Sequence, residues 1–181
     1  MLMTVLGLVF AGYLLATESR MSNTTNASDE RRKVGMLVPP PILLFALIAV
    51  CVGAQAFWFG GLTYSITRSV LAALVLVASV ALFAYSGRQF QKAGTPFRPT
   101  SPATTIVRDG PYRISRNPMY LGMAGVLAGL GVLFGSYCFG AALVIFLLVV
   151  HFGVVLPEER YLESLHGETY RQYRRQVRRW L

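Results

Sequence analysis

The sequence predicts an all-α, polytopic membrane protein with four transmembrane helices, the last two forming a helical hairpin, and an amphipathic cytoplasmic helix at the C-terminus. Three observations carry this expectation. Apolar residues make up 54% of the 181-residue chain, and they come as long uncharged blocks rather than as strand-like alternation or the stripe of a surface helix. The blocks reach the length of about 17–25 residues needed to cross a bilayer. The basic residues, which bring the formal net charge to +9, gather in the connections between blocks.

The elements follow in chain order. Residues 1–37 are set apart from the rest: Met1 to Ala16 is apolar but lacks the basic start of a signal peptide, and Thr17 to Lys33 is polar and reads as a disordered tail. Residues 1–20 are either a fifth span or belong to a misplaced start, with Met21 as an alternative first residue. Residues 38–181 form the membrane domain. Val38 to Gly61 is a full span, and Ser69 to Tyr85 is one near the lower length limit. Met119 to Leu156 is too long for a single span and is broken near its middle by Gly129, Gly131, Gly135 and Ser136, which predicts helices over 119–134 and 137–156. With four spans, Arg31, Arg32, Lys33, the basic residues from Arg88 to Arg116, and those from Arg160 to Arg179 all fall on one side, which the positive-inside rule makes cytoplasmic. Basic segments beside spans are expected against anionic headgroups, so the charge calls for no nucleic-acid partner.

Two segments carry chemistry beyond packing. In "GPYRISRNPMYLG", Gly110 to Gly122, Gly110-Pro111 marks a turn, Asn117 is a favoured N-cap and Pro118 suits the first helical position. A helix N-terminus favours an anionic group, and Arg116 adds a cation there. The bland reading is a capped span with snorkelling arginines and interfacial tyrosines at Tyr112 and Tyr120. The second segment, Leu156 to Trp180, opens on Pro157, Glu158 and Glu159, as helices often do. Tyr170, Tyr173, Val177 and Trp180 then recur at steps of three and four among arginines, the pattern of a helix lying on the membrane or on the preceding loop. Adjacent carboxylates beside a bilayer are harder to explain by packing, because ionisable groups at that depth mark sites.

Other features read as structural. His151 lies inside the last span with no partner at metal spacing, so no metal site is expected, and His166 precedes a turn at Gly167. Gly122, Gly125 and Gly129 share one helix face and suit close helix packing. Cys51 and Cys138 fall inside spans and read as small buried hydrophobes rather than as a disulfide.

Together, "IVRDGPYRISRNPMYLG" and "EERYLESLHGETYRQYRRQVRRW", separated by a helical hairpin, resemble the isoprenylcysteine carboxyl methyltransferase and phospholipid methyltransferase superfamily of integral membrane enzymes. The resemblance spans about residues 38–181. It implies S-adenosylmethionine as cofactor, bound at the cytoplasmic ends of the last helices, and a lipid-like acceptor entering from the bilayer: an isoprenylcysteine carboxylate or a phospholipid amine. By resemblance, Arg116, Asn117 and Tyr120 match the Arg-His-Pro-x-Tyr element at the cofactor site, with Tyr112 nearby and Val107 as an adenosine contact. Glu158 and Glu159 match the family's paired acids. Asn117 stands where the prenylcysteine enzymes carry histidine, which weakens the acceptor assignment more than the activity.

The residues themselves agree with such a cofactor. Its carboxylate suits Arg116 and the helix start, and its ammonium or ribose suits Glu158 or Glu159. A carboxylate acceptor needs a counter-ion, for which Arg113 is the candidate. An amine or thiol acceptor needs a base, for which Glu158 or Glu159 is nearest. Two competing readings remain: an NADPH-dependent sterol-type reductase, whose C-terminal part has a similar architecture, and a non-enzymatic membrane scaffold. Oligomeric state has no signal in the sequence.

Overall fold

The computed structural model describes residues 39–58, 65–92 and 106–181. The N-terminal segment and the greater part of the loop before Ile106 lie outside these residues, and with them the expectations for residues 1–37. The described residues are helical, with no strand and one isolated bridge between Ser115 and Arg178. Helix α1 spans Pro40–Trp58, α2 Ile66–Lys92, α3 Pro118–Phe134 and α4 Tyr137–Val150. A π turn over His151–Val155 leads into α5, Leu156–His166, and α6 follows at Glu168–Gln176. Among the described residues, three helices are long and apolar enough to cross a membrane: α1, α2, and the continuous rod from Tyr137 to His166. The chain is an integral membrane protein. Helix α3 is apolar but shorter, at 17 residues, or roughly 25 Å.

The expected hairpin appears with its break where the glycines placed it. Gly135 ends α3 in the left-handed conformation, φ +59°, donating its N–H to the Gly131 carbonyl, and α4 starts two residues later. A side chain at Gly135 would be strained, and its Cβ would collide with the Arg68 guanidinium. Helix α3 packs along α2 on its glycine face. A Cβ at Gly122 would lie 2.9 Å from the Ser79 carbonyl oxygen, one at Gly129 would lie 2.8 Å from the Leu76 side chain, and one at Gly125 would overlap the Ser79 hydroxyl. Small residues let the two backbones approach, as the glycine spacing predicted. On its other side α3 joins α1 and α4 in the apolar core, where Leu127, Phe139, Phe146, Val150, Val154 and Val155 are buried.

The structure changes three expectations. The second span extends from Ile66 to Lys92 rather than stopping at Tyr85, because its polar last turns are covered: Ser86 and Gln89 are buried and the Ser86 hydroxyl donates to the Leu82 carbonyl. Pro157 stands in the first turn of α5 with Glu158 and Glu159, as expected, but that helix runs on directly from the preceding span rather than starting afresh. Pro157 lacks the N–H that would reach the Gly153 carbonyl, and the chain accommodates this by one wider turn, in which Leu156 donates to His151, five residues back. The C-terminal amphipathic helix is two helices, divided at Gly167 with φ +53° and finished at Gln176, after which Val177 is extended.

Candidate functional site

The site is built where the start of α3, the start of α5 and the C-terminal tail meet. Asp109 leads into a short 3₁₀ turn, Gly110–Arg113, whose Gly110 has φ +61° and sits against Tyr85 and Gln89 of α2. Tyr112 is buried in this turn, edge-on to Phe90 at 5.4 Å between ring centroids. Its carbonyl accepts a 2.7 Å hydrogen bond from the Tyr173 hydroxyl of α6. Tyr170, Tyr173 and Val177, with Ile106 and Leu162, form a second small core, so α6 lies on the loop and not on an open face. Arg108 closes this contact, stacking over the Tyr173 ring and donating to the Thr169 carbonyl at 2.6 Å. Burial raises the phenol pKa values of Tyr112, Tyr170 and Tyr173 above the usual tyrosine range, so all three are neutral donors and acceptors.

Beyond Gln176 the tail turns back along the loop. Arg116 N–H donates to the Arg178 carbonyl at 2.9 Å, and the Asn117 side-chain amide and Ser115 hydroxyl donate to the Arg179 carbonyl at 2.9 and 3.3 Å. Trp180 donates its indole N–H to His151 at 3.2 Å, which gives that histidine of the last span a structural partner. The expected capping role of Asn117 is corrected here. Its backbone, φ −129° and ψ 47°, is outside the extended region an N-cap needs, and its amide is committed to the tail. Pro118 does occupy the first turn, and no side chain caps α3.

Glu159 is held between two cations. Arg179 forms a two-pronged pair with it at 3.0 and 2.8 Å, and Arg116 approaches at 2.8 Å. The Arg116 and Glu159 side chains retain only 8% and 9% exposure. Hydrogen bonding to Glu159 raises the Arg179 pKa further above its already high value. Glu158, one residue earlier, is in a different state. Among the described residues it accepts from the Tyr120 hydroxyl at 3.3–3.4 Å, and no cation pairs with it. Arg116 also keeps a buried Nε–H with no acceptor. One acid without a cation partner and one guanidinium N–H without an acceptor thus belong to the same assembly.

Of the residues expected at the site, Arg116, Asn117, Tyr120, Glu158 and Glu159 converge. Tyr112 is buried in the adjoining turn, packed on Phe90. Val107 and Arg113 instead line a cleft of ≈ 780 Å³ with Tyr85, Gln89, Lys92 and Arg108. Arg113 is 75% exposed and pairs with Asp109 at 3.2 Å. Sequence reasoning missed Arg179, Ser115 and Trp180 as parts of the assembly. Arg179 is one of several arginines in the tail, and nothing in its spacing separates it from its neighbours.

The residues converge within a recognisable segment. A family model for phospholipid methyltransferase matches residues 67–169, from the start of α2 to the start of α6. The chain belongs to the phospholipid methyltransferase family. An uncharacterized protein of Haemophilus influenzae is 38% identical over 63 residues, covering all of that protein and 35% of this chain. No solved structure matches significantly. As a member of a methyltransferase family embedded in the bilayer, the protein brings its two polar segments together at one end of the α3–α4 hairpin.

Proposed function

We propose that this protein transfers a methyl group from S-adenosylmethionine to a membrane-partitioned, lipid-like acceptor, with its site facing the cytoplasm. The observation that carries the reading is that one assembly holds both a Glu158 carboxyl with no cation partner and a buried Arg116 Nε–H with no acceptor, at an uncapped helix start. These groups fit a zwitterionic cofactor: Glu158 would hold its ammonium or ribose hydroxyls, and Arg116 with the first turn of α3 its carboxylate. S-adenosylmethionine, when bound, supplies a methyl group already activated on a sulfonium. The protein's task is then chiefly positioning, which can lower the barrier by about 7 kcal/mol or more.

In this reading Glu159 serves as a positioning residue. Its charge is neutralised by Arg116 and Arg179, and it fixes the Arg116 side chain. Glu158 remains available to accept a proton from an amine or thiol acceptor. The family match supports a phospholipid amine as acceptor. An isoprenylcysteine carboxylate would instead draw on Arg113 as counter-ion, which would first have to leave Asp109. Val107, half-buried on the rim of the neighbouring cleft, is the proposed adenosine contact.

Calorimetry on detergent-solubilised protein tests the cofactor. Binding of S-adenosylmethionine is expected; binding of NADPH alone would replace this reading with the reductase one. Radiolabel from S-adenosylmethionine should then enter lipid when membranes carrying the protein are supplied with it. For orientation, reporter fusions after residues 95 and 181 are expected to report cytoplasm and one after Gly61 the opposite face. A non-cytoplasmic signal at 95 would refute the arrangement drawn from the arginines.

A further inference from the structure

The two cysteines of the chain, 87 residues apart in sequence, meet at the α1–α4 contact, where their Sγ atoms approach to 2.6 Å. Non-bonded heavy atoms settle at roughly 3.5–4.0 Å, so two separate thiols fill this space poorly. Cys51 is buried beside Leu44 and Ile48 on the face α1 turns to the bundle, and Cys138, in the first turn of α4, is partly exposed. The pair sits at the Gly135–Ser136 end of the hairpin, opposite the end that carries Glu158. On the orientation proposed above, that is the non-cytoplasmic side, where disulfides form and persist.

We propose that Cys51 and Cys138 are a disulfide-forming pair that ties α1 to the start of α4. The bond forms by exchange with an oxidant of the disulfide class. The accessible Cys138, as thiolate, attacks one sulfur of the oxidant and forms a mixed disulfide, releasing the first oxidant thiolate. Cys51, having lost its proton, attacks the Cys138 sulfur, closes the bond and releases the second. Two electrons pass to the oxidant, which leaves as a dithiol, and two protons go to solvent or to the leaving thiolates. The consequence is mechanical. Helix α1 packs on α4 and less extensively on α3, so a covalent link at this contact retains it on the bundle.

The test uses the full chain in its native membranes. Cells are quenched in acid, and the denatured protein is alkylated with N-ethylmaleimide before or after reduction, then weighed intact. The expected result is no label before reduction, two labels after it, and a mass lower by two hydrogens in the unlabelled monomer. Cys51→Ser should leave Cys138 labelled without reduction. Reductant should lower the thermal unfolding midpoint of the wild type by several degrees and leave Cys51→Ser and Cys138→Ser unmoved. Full labelling before reduction would overturn the proposal, as would a dimer on non-reducing gels that Cys138→Ser abolishes.

Discussion

Glu158 and Glu159 are adjacent in sequence but point about 100° apart around their helix, and this separates their roles. Glu159 meets two arginines, while Glu158 meets a tyrosine hydroxyl. The two isosteric variants should therefore differ in what they break. Glu158→Gln is expected to unfold at nearly the wild-type temperature but to lose at least about tenfold in S-adenosylmethionine affinity, a single lost charge-assisted hydrogen bond being sufficient. Equal affinity in calorimetry would remove Glu158 from the proposed site. Glu159→Gln leaves Arg116 buried without its anion and should cost about 2 kcal/mol of stability, somewhat below the usual figure for a broken buried pair because Arg179 keeps 34% exposure. Thermal unfolding in detergent reads this directly. The paired segments singled out the two acids and Arg116; which acid is paired with cations was not legible, because it depends on an arginine twenty residues away.

At the scale of elements, hydrophobic blocks located the helices and glycines their close packing, but of the four expected spans three among the described residues are long enough to cross a membrane, and polar helix ends were misjudged. The hairpin break follows from local chemistry at Gly135, which needs no tertiary partner to be read. The extension of α2 past Tyr85 goes instead with the burial of Ser86 and Gln89, the latter against Gly110. The glycine face makes a sharper prediction. Gly125→Leu would drive a side chain into Ser79, separating α2 from α3 and costing about 1–3 kcal/mol by overpacking. A Leu at Gly140, whose Cβ position is open, should leave the unfolding midpoint unchanged and serves as the control. The division of the C-terminal helix at Gly167 was half legible: the glycine signalled a turn, but the continuing tyrosine and arginine spacing argued for one helix.

Across the whole molecule, the C-terminal tail connects the parts of the proposed site. Residues 178–180 join the Arg116 loop, Glu159 and His151, so three elements distant in sequence share one short segment. Deleting residues 177–181 is expected to leave a membrane-inserted protein that no longer binds S-adenosylmethionine. Retained binding by calorimetry would show that the tail is dispensable. The sequence by itself determined that the chain is helical and membrane-embedded, where its hairpin turns, and which two polar segments would stand out from the apolar blocks. Those follow from block length, glycine conformation and charge placement, all local properties. Tertiary structure alone decided that Asn117 and Arg179 serve each other, that Glu159 is neutralised while Glu158 is not, and that Cys51 meets Cys138. Each is a contact between residues separated by 20 to 87 positions, and no local period encodes which of several equivalent side chains will be within reach.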